Sequence, residues 1–149
     1  MNRLKFQLRE NPGCMHRDHS LTFWPAAVSD GRLCVKAMSC LFCRILDGSI
    51  PSQAVYQDDE CYAFADINPQ APVHILVIPR AHIASTAEAG KEHSALIGHL
   101  FLAAAEIARS KGLTKGYRSV INTGSDGGQT VDHLHVHLLG GRPMTWPPG

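Results

Sequence analysis

Between Asp132 and Leu138 the sequence alternates histidine with an aliphatic residue: His133, Leu134, His135, Val136, His137, Leu138. A helix would scatter the two kinds of side chain around its circumference, whereas an extended strand sends them to opposite faces. The run therefore predicts a strand with Leu134, Val136 and Leu138 in a core and three imidazoles on the other face. Such a row suits a metal clip, a catalytic device, or a polar strand face with no further duty. A strand rises about 3.3 Å per residue, so the Cα atoms of His133 and His137 would stand roughly 13 Å apart. Zinc–nitrogen bonds of about 2.0–2.1 Å demand tight convergence. That argues against one ion shared by all three and for a division of labour.

The rest of the chain supplies partners for this strand. Leu41, Phe42, Ile45 and Leu46 fall at helical spacing before Gly48, which suits a stop. The stretch QAVYQDDECYAFAD predicts two strands around a turn at Asp58 and Asp59, and PVHILVIP a β-branched strand closed by Pro79. From about Glu92 to Lys111, Leu96, Leu100, Ala103 and Ile107 recur with helical period, and Gly112 follows as a cap. YRSVIN reads as a strand, TGSDGGQT as a glycine-rich loop and DHLHVHLL as the last strand. Two helices and about five strands in this order predict an α+β fold with an antiparallel sheet. The sequence contains no internal repeat and no low-complexity tract.

Composition narrows the classes of function. A length of 149 residues fits one domain, and a net charge of +1 gives no electrostatic footprint for nucleic acid or an anionic membrane. No apolar run approaches the roughly 18 residues that span a bilayer. Five cysteines, an odd number, with no signal-peptide pattern, fit free thiols or a metal site better than a disulfide framework. Residues 1–37 show no sustained period and carry six Lys/Arg against three Asp/Glu. They are expected to be a disordered extension, Glu10, Asp18 and Asp30 weakening a transit-peptide reading. Met38 stands directly before the organised part, residues 38–149, and is a candidate natural start, which intact mass of the native protein would test. A cytoplasmic location is expected, with organellar import through residues 1–37 as the alternative.

The histidine run, HLHVHLL, resembles the histidine-triad (HIT) signature. FADINPQAPVHILVIP, GYRSVIN and SDGGQTVDHLHVHLLGGRPMTWPPG are similar to the histidine-triad nucleotide-binding (HINT) branch, and the likeness runs from about Cys40 to Gly149. The resemblance implies a HIT-like fold whose sheet continues across a homodimer. It also implies hydrolysis of purine nucleoside phosphoramidates, with His135 as the nucleophile. An imidazole attacks well near neutral pH and leaves well once bound to phosphorus. The departing amine needs a proton, and His74 and His137 match the family positions that assist proton transfer and contact phosphate.

The loop before the triad has no Lys or Arg, so backbone N–H groups and hydroxyls must meet the phosphate charge. By resemblance these contacts fall to Asn122, Gly128, Gln129 and Thr130. Many relatives carry serine where this chain has Thr130. Asp66 matches a ribose-binding carboxylate, and Leu41, Phe42, Ile45, Phe64 and Ile67 match an apolar wall around the base. Trp146 matches a C-terminal tryptophan that approaches the partner subunit's site. Cys40 and Cys43 alone could be a redox pair or two core thiols. Other members of the superfamily use such a pair with two histidines to hold structural zinc, which here implies Cys40, Cys43, His82 and His133. No organic cofactor is expected. Two alternatives stand beside the phosphoramidase: a dinucleoside polyphosphate hydrolase of the same superfamily, and a zinc-stabilised nucleotide-binding module with little turnover.

Overall fold

The computed structural model describes residues 40–148, so the expected extension and the candidate start at Met38 lie outside the described residues. Helix α1 spans Leu41–Leu46 and is followed by strands β1 (Ala54–Gln57), β2 (Cys61–Ala65) and β3 (Val73–Pro79). Two short 3-10 turns, Thr86–Glu88 and Lys91–His93, lead into helix α2 (Ser94–Ser110), and β4 (Tyr117–Val120) and β5 (Val136–Gly140) complete the chain. The strands form one antiparallel sheet in the order β1-β2-β3-β5-β4. Among the described residues, two α-helices and a five-stranded antiparallel sheet form the α+β architecture that the periodicities predict.

Alternation along the strands separates the two faces of the sheet. Ile75 pairs with Leu138 and Val77 with Val136. Together with Cys61, Ala63 and Leu134 they pack on Leu100, Ala103, Ala104 and Ile107 of α2 in one buried cluster. Burial of these aliphatic groups, at about 1.5–3 kcal/mol for each large side chain, is the main driving force for holding α2 on the sheet. The other face carries His74, Leu76 and Ile78 from β3, and Leu76 pairs with His137. Here Phe42 of α1 packs with Cys40, Phe64, Leu76 and Ile78 in a second, smaller cluster. At six residues α1 is too short to persist alone, so its helical form depends on this docking.

One boundary differs from the sequence reading. The last strand starts at Val136, so His133 and His135 precede the ladder instead of lying in it. The His133 N–H donates to the Val131 carbonyl (2.8 Å) and the Leu134 N–H to the Ile83 carbonyl (2.6 Å), bending the chain where a straight strand would continue. The alternation survives the bend, because Leu134, Val136 and Leu138 are all buried against α2. Beside the bend the His133 ring meets Cys40, and Phe42 and Cys43 of α1.

Candidate functional site

On the α1 side of the sheet hydrogen bonds fix where the protons of three imidazoles sit, joining His74 to His137 and His135 to the His133 carbonyl. The backbone N–H of Gln70 donates to His74 Nδ1 (3.1 Å), so the neutral His74 ring carries its hydrogen on Nε2. That Nε2 lies 2.9 Å from His137 Nδ1 and 3.4 Å from Asp66 Oδ2. His137 Nδ1 is therefore an acceptor, and the neutral His137 ring must carry its own hydrogen on Nε2. This Nε2 is buried and has no hydrogen-bond partner. His135 is arranged the opposite way. Its Nδ1 stands 2.6 Å from the His133 carbonyl oxygen, which can only accept, so its Nε2 holds the lone pair in the neutral ring. The rings of His135 and His137 meet edge to face with centroids 4.8 Å apart. Neighbouring rings thus carry a lone pair on one Nε2 and an unpaired N–H on the other.

Burial favours the neutral form of His137 and His74. His137 is held down to about 4, mainly by burial and then by the charges of His135 and His74, with Asp66 pulling the other way. Burial also lowers His74, and Asp66 partly offsets it.

The glycine-rich loop sits directly before the triad and is braced from inside. The Gln129 amide donates to the Ala84 (2.6 Å) and Val131 (2.9 Å) carbonyls, and its oxygen accepts the Gly124 N–H at 3.1 Å. Gln129 thus directs its amide to the frame of the loop. Gly127 has no room for a side chain, since a Cβ would clash with the Thr123 carbonyl oxygen, and Gly128 adopts a positive φ of 76°. Asn122 approaches Gly128, its Nδ2 being the nearest atom to a Cβ there. Thr130 is exposed at the end of the loop.

A second convergence lies where the chain bends. The ligand-type atoms of Cys40, Cys43, His82 and His133 all fall within 4.8 Å of one another. His133 Nδ1 is 3.5 Å from Cys40 Sγ, 3.6 Å from Cys43 Sγ and 3.3 Å from His82 Nδ1, and His82 Nδ1 is 3.3 Å from Cys43 Sγ. His133 Nε2 donates to the Pro79 carbonyl at 2.9 Å, which aims the Nδ1 lone pair at the cluster. Burial holds His133 down to about 4, so its ring stays neutral and able to ligate. Burial, then the neighbouring Cys40 thiol, pushes the Cys43 thiol up to about 11, so without a cation the Cys43 thiol keeps its proton. A metal ion would replace protons that four crowded donors cannot share well. The site can hold one.

The remaining expected site residues divide by exposure. Phe42 and Phe64 are buried and meet edge to face, centroids 5.6 Å apart, and Phe42 also abuts His135. Ile45 is half-buried, whereas Leu41, Ile67 and Trp146 are exposed, Ile67 at 96% and Trp146 at 85%. Asp66 accepts the Asn68 N–H on Oδ1 (2.8 Å) and faces His74 with the other oxygen. Sequence reasoning missed two contributors. The Gln70 N–H that sets the His74 tautomer is a backbone group with no side-chain signature. The His133 carbonyl that sets His135 is equally invisible in a string of residue types.

Comparison with known proteins places these features in a group. The HIT domain model matches residues 47–144, a span that begins after the cysteine pair. An uncharacterized HIT-like protein of Synechococcus elongatus is 61% identical over 109 residues, covering 73% of this chain and 96% of that protein. A crystal structure of a HIT family hydrolase from Legionella pneumophila superposes with a TM-score of 0.73 at 49% identity, covering 74% of this chain and 100% of that one. A histidine triad nucleotide-binding protein from Candida albicans superposes with a TM-score of 0.63 at 30% identity, covering 73% and 83% respectively.

Proposed function

Since the chain belongs to the HIT domain family, we propose that it is a hydrolase of purine nucleoside phosphoramidates working through a nucleotidyl-histidine on His135. The observation that carries this reading is the opposed proton placement on neighbouring rings, a lone pair at His135 Nε2 beside a hydrogen at His137 Nε2. In this reading His135 Nε2 attacks the α-phosphorus while His137 Nε2–H donates to a phosphoryl oxygen. The phosphorus–nitrogen bond breaks, and the departing nitrogen takes a proton passed from solvent by the exposed Thr130 hydroxyl, which regains one from water. Water then cleaves the Nε2–phosphorus bond, releasing the nucleotide and restoring His135. Backbone N–H groups of the glycine-rich loop, with Asn122, face the phosphate, and the Gln129 amide holds that loop in shape. Asp66 is free to accept from the ribose with the lone pairs its local bonds leave over. Ile67 and Leu41 present exposed apolar surface to the base, with Ile45 beside them and Phe42 and Phe64 as the packed layer behind.

The same reading assigns zinc to the second cluster. A zinc tetrahedron with bonds of about 2.05 Å to nitrogen and about 2.3 Å to sulfur has edges of about 3.3 Å between nitrogens and about 3.6 Å between nitrogen and sulfur. The His82–His133 separation of 3.3 Å and the two sulfur separations from His133, 3.5 and 3.6 Å, fit those edges. Zinc there supplies a cross-link between α1, the segment after β3 and the bend before β5. A homodimer with a continuous sheet completes the proposal, bringing Trp146 toward the partner's site.

The test is an assay of an adenosine phosphoramidate, diadenosine polyphosphates and free nucleotides with wild type and His135→Ala. The phosphoramidate is expected to be preferred, a nucleotidyl adduct to be trapped on His135, and the variant to lose at least about 10³-fold in kcat/KM while keeping its fold. Preference for diadenosine polyphosphates would move the chain to that branch. Nucleotide binding with no rate to lose would make it a binding module.

A further inference from the structure

His133 belongs to two arrangements at once. Its ring Nδ1 sits in the Cys₂His₂ cluster, its Nε2 is tied to the Pro79 carbonyl, and it is fully buried. Its own carbonyl accepts the Nδ1 hydrogen of His135 at 2.6 Å. One residue therefore separates the cluster from the nucleophile, and neither end of it is free. Other contacts run along the same route. The Leu134 N–H is anchored on the carbonyl of Ile83, the residue that follows His82. Phe42, between the two cysteines in sequence, presents its ring to both His133 and His135, with centroids 5.8 and 5.3 Å away.

We propose that the metal cluster is a positioning device for the nucleophile: when loaded, it fixes the His133 carbonyl and thereby the tautomer and direction of His135. The inference rests on the reading of the cluster as a zinc site and of His135 as the attacking residue. Its physical basis is short range. A carbonyl at 2.6 Å holds the hydrogen on Nδ1, and a drift of about 1 Å takes it beyond hydrogen-bonding distance, freeing the ring to exchange tautomers and rotate. His133 is then a positioning residue, acting on the reaction only through His135.

Long-range proton–nitrogen NMR of ¹⁵N-histidine-labelled protein reads the tautomer of each ring directly. In the zinc-loaded protein His135 is expected as a single neutral tautomer with its proton on Nδ1. Replacing zinc by cadmium, a larger ion of the same charge that takes the same donors, should shift the His135 Nδ1 signal by more than that of His99, which lies on the other side of the sheet. Stripping the metal should replace the single tautomer by averaged signals and lower kcat about 10-fold with KM little changed. Should the stripped protein unfold, the zinc-to-cadmium exchange decides. A His135 signal unmoved by that exchange, while His82 and His133 shift, overturns this inference alone. A folded protein that takes up neither metal overturns the zinc reading and this inference with it.

Discussion

The placement of single protons sets what each imidazole can do. Gln70 through its backbone, His74 and His137 form a directed chain whose last hydrogen, on His137 Nε2, is left without a partner. The direction holds only while the rings are neutral, because a second proton on His137 would set two donors against each other at the His74 contact. Burial, more than any neighbour, depresses His137 to about 4 and lowers His74. An unfolded histidine titrates near about 6.5, so between those values the unfolded chain binds more protons than the folded one. The stability contributed by the neutral rings is fully present above about pH 6.5 and is lost as pH falls toward about 4. Urea midpoints should fall between pH 7.5 and pH 5, and His137→Asn should flatten the dependence. A midpoint that rises on acidification would contradict the assignment.

At the scale of elements, much of the fold was legible because period and punctuation agree. The helical spacing around Leu100 and the β-branched run before Pro79 each gave the right element, and the turn at Asp58 separates β1 from β2. The start of β5 was misplaced because alternation records side-chain facing, which continues through the bend, and carries no information on pairing. The part played by Asp58 was also out of reach. Its carboxylate accepts the Glu60 and Cys61 N–H groups, the Tyr56 hydroxyl (3.0 Å) and His99 Nε2 (2.7 Å) from α2, 41 positions away. Burial opposes its ionisation, yet these donors outweigh it and hold the carboxyl below the usual range. The group is a clasp between the β1–β2 hairpin and α2, and its donors account for its geometry without an ion. His99→Ala should cost about 1–2 kcal/mol in equilibrium denaturation while leaving kcat/KM unchanged. An unaltered stability would remove the clasp from the account.

For the whole molecule, an ion in the proposed Cys₂His₂ site would compensate for a helix too short to stand by itself. Cys40 and Cys43, at the start of helix α1 and within it, belong to that site, and the Phe42 ring packs on the sheet. Removing the ion should release α1 before the sheet opens, and Arg44, exposed on that helix, becomes the reporter. Chelated protein is expected to be cut by trypsin after Arg44 several times faster than loaded protein while the far-UV signal of the sheet persists. Equal cleavage rates would show that the sheet holds α1 without help.

The sheet also works as a partition. One surface is dry and carries the packing against α2, while the other bears the imidazoles, and neighbouring residues of one segment serve different masters. Substitutions at Val136 and Leu138, buried at 0% exposure, should deplete the folded protein in a cell. Substitutions at His135 and His137 should leave its abundance nearly intact and silence it. A deep mutational scan recording abundance and activity separately would then oscillate with a period of two along this segment. The alternation first seen as letters would reappear as the rhythm of two independent selections.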